Sequence, residues 1–282
     1  MKRGWKIFWI TCAVIAVIGF ACCMTALALG VTTDTIASRF PYGLGIIKGN
    51  AWHHSEESHS GHSYTGDVDD SETFSDVQIN EIDAHISAGE LHVLKSDTDE
   101  FKIETYEIDS RLKLNYYVED GELKIETKKH IWGLTGGNHP GTIYLFVPEG
   151  YELDEASFEV GAGTLYIEDI RAVSLDIEVG AGEATIDRFS SGEAGMVCGA
   201  GKITASGHAD WEMDVNCDIG EIDLNLEAEM EDYSYNIKCG VGEVNVGDEH
   251  YSGIGGKKKI EHHAGKEMDI DCGVGTINVD FY

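Results

Sequence analysis

The feature that most constrains this chain is a repeated glycine interval in its C-terminal half. A turn glycine recurs at 163, 182, 201 and 220, an interval of 19 residues each time, and then at 242 and 275. It is the second glycine of a Gly-x-Gly motif at every position except 220, where the turn reads Asp-Ile-Gly. The segments on either side of each motif alternate apolar and polar residues, which is the period-2 pattern of half-buried β-strands. A constant interval is typical of a solenoid, whose coils bury their apolar sides only against each other.

The sequence therefore predicts an all-β fold, specifically a β-solenoid of stacked coils of short strands. Glycine is expected at each turn because the corner needs either a positive φ or a bend too tight for a Cβ atom. A sandwich of antiparallel hairpins, in which the glycines form hairpin loops, is the alternative. The identical intervals favour coils. The predicted turn glycines are Gly163, Gly182, Gly201, Gly220, Gly242 and Gly275.

The strand pattern also assigns an inner and an outer side to each coil. Leu175, Ile177 and Val179 share one side of a strand, while Asp176 and Glu178 share the other. We therefore expect a narrow apolar interior and a mostly acidic exterior.

Two stretches depart from the repeat. The last interval is 33 residues long and contains residues 247–266, which are rich in Gly, Lys and His and are predicted to form one long surface loop. Residues 99–147 fit the period less well and predict longer strands in a more open sheet that leads into the solenoid.

Four cysteines occupy the same place in four coils, three residues before the second glycine. Earlier coils have Val160 and Val179 there, so a small hydrophobe in a valine position is the simplest interpretation. Disulfides are the alternative, because coils about 4.8 Å apart bring Cα atoms within bonding range. The predicted inward ladder consists of Cys198, Cys217, Cys239 and Cys272.

Residues 1–30 predict an N-terminal membrane anchor. Three basic residues precede an uncharged apolar run, residues 7–29, which is long enough to span a hydrocarbon core of about 30 Å as a transmembrane helix. The bilayer is then a partner, and the basic flank predicts a single-pass protein of the cell membrane with a cytoplasmic N-terminus and an extracytoplasmic C-terminal domain. A signal peptide cleaved at residues 26–28, a lipoprotein signal at Cys22 and a buried core helix are the alternatives.

Residues 31–75 predict a flexible stalk, because the apolar residues of the segment 50–73 are too few to offset the entropy of ordering. The stalk contains a histidine cluster of the kind that can bind divalent metal. Loose spacing and the absence of cysteine favour a solvated linker, so no metal site is assigned. The clustered residues are His53, His54, His59 and His62.

Residues 76–282 remain as the β-repeat domain, and charge and motifs narrow its function. A formal net charge of −31 argues against nucleic acid as a partner, because a phosphate backbone requires a basic surface. Neither a Gly-x-Ser-x-Gly nor a His-Glu-x-x-His motif occurs, and the Gly-x-Gly turns are too short to form a phosphate loop. The sequence predicts a protein that is not an enzyme and that needs no cofactor.

The Val-Gly-Ala-Gly and Cys-Gly-Val-Gly repeats, together with the Val-Pro-Glu-Gly-Tyr turn at 147–151, resemble a bacterial family of β-strand-repeat proteins. This family has no known function and is labelled "putative adhesin"; its LiaG-like members are associated with cell-envelope stress systems. The resemblance covers residues 76–282 and supplies no catalytic residues. It implies a binding module for an envelope polymer or protein. A wall-polysaccharide enzyme of the β-helix type and a passive envelope scaffold are the alternatives.

Overall fold

The computed structural model describes residues 68–75, 77–128, 140–252, 255–262 and 264–282. They belong to the second of two compact units, Tyr64–Tyr282. The predicted anchor and the four stalk histidines lie outside the described residues. Within the described ranges, no helix has both the length and the apolar character needed to cross a membrane.

The regular structure of the described residues is almost entirely β. Its one helical element is a short 3-10 helix, Met230–Asp232. The strands, in chain order, are β1 Asp70–Phe74, β2 Glu81–Ser96, β3 Phe101–Tyr106, β4 Asn115–Glu119, β5 Glu122–Glu126, β6 Thr142–Pro148, β7 Leu153–Ile167, β8 Ile170–Val179, β9 Glu183–Cys198, β10 Lys202–Cys217, β11 Glu221–Leu226, β12 Tyr233–Cys239, β13 Glu243–Val246, β14 Glu249–Ser252, β15 Gly256–Ile260, β16 Lys266–Cys272 and β17 Thr276–Phe281.

Successive coils pair in parallel and in register, as the constant glycine interval predicts. Val179 of β8 lies opposite Cys198 of β9, which lies opposite Cys217 of β10, and each step is 19 residues. The inward residues of these strands are buried and form one continuous apolar core. Parallel pairing across the Gly-x-Gly turns confirms the β-solenoid-like arrangement and excludes hairpin loops at those turns.

The order of the coils along the stack differs from their order in the chain. Strand β16 lies between β10 and β12, and β17 lies between β11 and β13, so the last coil is inserted before the one that precedes it in sequence. Residues 247–266 make this possible. They contain β14 and β15, which pair antiparallel with β13 and β12. The prediction of one long loop there was wrong, because the segment continues the sheet beyond the last parallel coil.

The stack begins with mixed pairing. Strands β5 and β6 pair in parallel with β2, while β4 and β3 pair antiparallel with β5 and β6. Strand β1 then pairs antiparallel with β3. Because β1 begins at Asp70, ordered structure starts within the segment predicted as a stalk, and the predicted boundary at residue 76 is too late.

The turn glycines are required by close packing between coils. None of the six has a positive φ. A Cβ atom added at Gly201 would lie 2.1 Å from the carbonyl oxygen of Gly182, and one added at Gly182 would lie 2.1 Å from that of Gly163. The same carbonyl of Gly182 accepts a hydrogen bond from the Lys202 amide at 3.0 Å. A side chain at these positions would therefore separate the coils at a point where they are hydrogen-bonded.

We expect Gly201→Ala to lower the free energy of unfolding by about 1–3 kcal/mol, because the added methyl group overlaps backbone that cannot move aside without breaking this hydrogen bond. Urea denaturation followed by circular dichroism measures the change. Gly265→Ala is the matched control, since a Cβ atom there meets nothing within 4 Å. Equal stabilities of the two variants would contradict the packing role of the glycine column.

Candidate functional site

The four repeat cysteines lie in single file inside the stack. Each is at most 5% exposed, and no disulfide joins any two of them in this structure. The strand registers place them in the order Cys198, Cys217, Cys272, Cys239. Their inward position matches that of Val160 and Val179 in the earlier coils. Among the described residues no group of three or more His, Cys, Asp or Glu side chains could hold a metal ion.

Hydrogen bonding and burial set the thiol pKa values. A hydrogen bond from Cys217 lowers the pKa of Cys198 to about 7, and the same bond together with burial raises the pKa of Cys217. Burial also raises the pKa of Cys272. The thiols are therefore shielded from solvent and are not presented to a substrate.

The outer side of the coils carries two columns of carboxylates, which we call the acidic face. One column consists of Glu193, Glu212 and Glu267, which are neighbours on β9, β10 and β16. Strands in a sheet are about 4.8 Å apart, so each carboxylate has another at that spacing. The second column, two residues further along the strands, consists of Asp176, Gly195, Asp214 and Asp269.

Burial and neighbouring like charges raise the pKa values of three carboxyl groups of the acidic face. Burial, followed by the charges of Asp269 and Glu193, raises the pKa of Asp214. Burial, followed by the charges of Asp214 and Glu193, raises the pKa of Asp176. The charge of Asp214 is the main cause of the raised pKa of Glu212. The face therefore holds more negative charge than its own cations neutralise.

The absence of a side chain at Gly195 allows the carboxylates of the second column to approach each other. Gly195 has no side chain, and the Oδ1 atom of Asp176 lies only 2.3 Å from where a Cβ atom at Gly195 would be. Asp176 therefore leans into the gap between its own coil and that of Asp214. Lys238, whose charge lowers the pKa of Asp214, is itself paired with Asp271, with Nζ and Oδ2 3.6 Å apart.

A tryptophan stands beside these columns. The register of β10 against β9 shifts between Ala209 and Glu212, a bulge that places Trp211 over the strand of the neighbouring coil. Its Cζ2 atom lies 2.5 Å from where a Cβ atom at Gly192 would be, so glycine is needed there to make room for the ring. Trp211 donates a hydrogen bond from Nε1 to Oε1 of Glu193 at 3.2 Å and is still 47% exposed.

Sequence reasoning did not identify Trp211 as a surface residue of interest. Two signals were available, namely the interruption of alternation at Asp210 and Trp211 and the glycine at 192 in the adjacent coil. Neither is informative until the strand register is known, because only the register shows that Gly192 and Trp211 are neighbours.

A Ser–His–Glu stack is the nearest approach to a catalytic constellation that we find among the described residues. Oγ of Ser190 lies 3.2 Å from Nε2 of His208, and Nδ1 of His208 lies 3.9 Å from Oε2 of Glu227. The Glu227 side chain is 69% exposed and too far away to hold the imidazole as a triad requires. The three residues are neighbours across adjacent coils, and we interpret them as a polar cross-strand stack.

We expect Asp214→Asn to raise the Tm at pH 7, because the folded state then no longer holds a carboxylate whose pKa it has raised. A raised pKa means that the folded protein binds the proton more tightly than the unfolded chain does. Ionisation of the Asp214 carboxyl therefore destabilises the folded state as the pH rises through the pKa of this group. The increase in Tm caused by Asp214→Asn should therefore shrink on acidification to about pH 3. Differential scanning calorimetry measures it. Asp97→Asn, in an exposed bend, is the control, and no gain over this control at pH 7 would contradict the assignment.

Comparison with known proteins places the chain in a family. No curated protein matches it. Among solved structures, a "putative cell adhesion protein" from Clostridium sporogenes is 17% identical, covers 76% of this chain and 99% of its own, and has a TM-score of 0.41. A "putative adhesin" and a "putative lipid binding protein", both from Parabacteroides distasonis, are each 17% identical. They cover 76% and 74% of this chain and 97% and 96% of their own, with TM-scores of 0.38 and 0.29. The Toastrack DUF4097 family model matches residues 113–280, and the chain belongs to this family.

Proposed function

We propose that this protein is a membrane-anchored, extracytoplasmic binding module without catalytic activity, which acts as an adhesin or as an accessory of the cell-envelope stress response. Its partner in this proposal is a polymer or protein of the envelope. The observation that carries the proposal is the acidic face with Trp211 at its margin. Family membership and the adhesin names of several structural neighbours agree with it.

The geometry of the acidic face suits repeated shallow contacts. Each of the coils that contain β8, β9, β10 and β16 carries at least one of its carboxylates. An extended ligand lying along the stack therefore meets negative charge at each of these coils, and weak contacts add up through avidity. The net charge of −31 favours a ligand that carries positive charge. An exposed tryptophan adds a large rigid surface that can stack on a sugar ring or on a cationic group.

The proposed location depends on the N-terminal sequence. The apolar run at residues 7–29 anchors the chain in the bilayer, and the basic residues before it keep the N-terminus in the cytoplasm. The strands, from Asp70 onward, then lie outside the cytoplasm, where envelope polymers are accessible.

We expect Trp211→Ala to weaken binding of the detergent-solubilised full chain to purified cell-wall polymer by roughly 5- to 30-fold. An aromatic contact of about 1–2 kcal/mol is lost with the ring. Co-sedimentation at several protein concentrations gives the Kd. Tyr282→Ala is the matched control, because Tyr282 is an aromatic residue that is 71% exposed at the C-terminal end of the chain.

The same incubation tests the alternative functions. Sugar released from the polymer, measured as reducing ends, would contradict the absence of catalysis. Retention that is unchanged by Trp211→Ala would remove the acidic face as the binding surface. Failure to bind any envelope fraction would favour the passive scaffold.

The location has a separate test. We expect proteinase K added to intact cells to digest the β-repeat domain while a cytoplasmic marker survives, because export places the whole domain outside the membrane. Immunoblotting with an antibody against the C-terminus follows the loss. Protection of the domain until the cells are lysed would contradict the proposed orientation.

A further inference from the structure

The inserted last coil changes which cysteines are neighbours. In chain order, Cys217 is followed by Cys239, yet the registers place Cys272 between them. Cys217 and Cys239 are therefore two coils apart, about 9.6 Å at the usual strand spacing, and cannot form a disulfide without movement of the backbone. Cys198 with Cys217, Cys217 with Cys272, and Cys272 with Cys239 are the adjacent pairs.

The thiols are also oriented along the stack. The Sγ atom of Cys198 lies 2.6 Å from where a Cβ atom at Gly220 would be, in the coil that contains Cys217. The Sγ atom of Cys272 lies 2.6 Å from the corresponding point at Gly242, in the coil that contains Cys239. The glycines of the turn thus leave the space into which each thiol leans toward the next.

The middle pair has the same geometry as the outer pairs. The Sγ atom of Cys217 lies 2.6 Å from where a Cβ atom at Gly275 would be, in the coil that contains Cys272. The number of bonds that can form distinguishes the pairings. A bond between Cys217 and Cys272 would leave Cys198 and Cys239 without a neighbouring thiol, whereas the outer pairing uses all four.

We propose that the exported protein carries two disulfide staples between adjacent coils, Cys198–Cys217 and Cys239–Cys272. The inference rests on the proposed extracytoplasmic location, because disulfides persist in oxidising compartments. The four thiols are buried in the finished stack, so the bonds form while the coils are still closing. Each staple then adds a covalent bond between two coils that would otherwise be held together by strand pairing alone.

The chemistry is thiol–disulfide exchange with an external disulfide, either a small one such as oxidised glutathione or that of a thiol oxidoreductase. The Cys198 thiolate attacks the carrier disulfide and releases one carrier thiolate. The Cys217 thiolate then attacks Sγ of Cys198, the protein disulfide forms, and the second carrier thiolate leaves. Two electrons pass to the carrier, whose two sulfurs end as thiols.

Peptide mapping of the full chain distinguishes the pairings. Free thiols are blocked with N-ethylmaleimide, and the protein is then digested with trypsin without reduction. Cleavage after Arg188, Lys202, Lys238, Lys257 and Lys266 puts each of the four cysteines on its own peptide. We expect residues 189–202 linked to 203–238, and 239–257 linked to 267–282.

Two preparations separate the pairing from the location. One is the exported protein, and the other is made in a reducing cytoplasm and then refolded with oxidised and reduced glutathione. The expected links in both support the whole proposal, and links after refolding alone support the pairing and contradict the exported location. A Cys217–Cys239 or Cys217–Cys272 link, or four alkylated cysteines in both preparations, overturns the proposal.

Stability gives a second measurement. We expect reduction of the stapled protein to lower the Tm by roughly 10–25 °C, because the two bonds close loops of 20 residues (198–217) and 34 residues (239–272). The variant in which Cys198 and Cys217 are both changed to valine, the residue found in earlier coils, should lose about half of this shift. An equal shift in that variant would contradict the Cys198–Cys217 staple.

Discussion

The contact on which the structure depends is the one between the turns of adjacent coils, where the backbone of one glycine lies against the carbonyl group of another. At Gly201 that carbonyl belongs to Gly182, and it also accepts the next amide hydrogen bond. Such an approach fixes the spacing and the register of the coils together. In-register pairing then places each apolar residue beside an apolar residue of the next coil and each polar residue beside a polar one. Apolar side chains therefore fill the interior, and acidic side chains line the outside.

Much of the stacked arrangement could be predicted from the sequence, because in-register stacking of equal coils produces a constant interval, here 19 residues. The order of the last coils could not be predicted, because the spacing of the glycines along the chain does not specify which coils pair with each other. The antiparallel strands β14 and β15 were missed for a related reason. Their residues, among them Lys257 to Lys259, are mostly exposed, so no inward apolar pattern marks them as strands.

Only part of the candidate surface could be predicted from the sequence. Alternation predicted an acidic exterior, but the convergence of Asp176 with Asp214 depends on the gap at Gly195, which lies on a different coil. The exposure of Trp211 depends in the same way on Gly192. In a stacked fold, side chains that are 19 residues apart become neighbours, and glycines on one coil decide how far those on the next can lean.

The position of β16 and β17 has a consequence for how the molecule is completed. In a simple solenoid the C-terminal coil is the outermost layer, and its loss shortens the stack by one. Here the final residues of the chain form an internal layer, with β10 and β11 on one side and β12 and β13 on the other. A chain that stops before Lys266 leaves two unpaired sheet edges facing a gap, so the stack cannot be closed until residues 266–281 have been made.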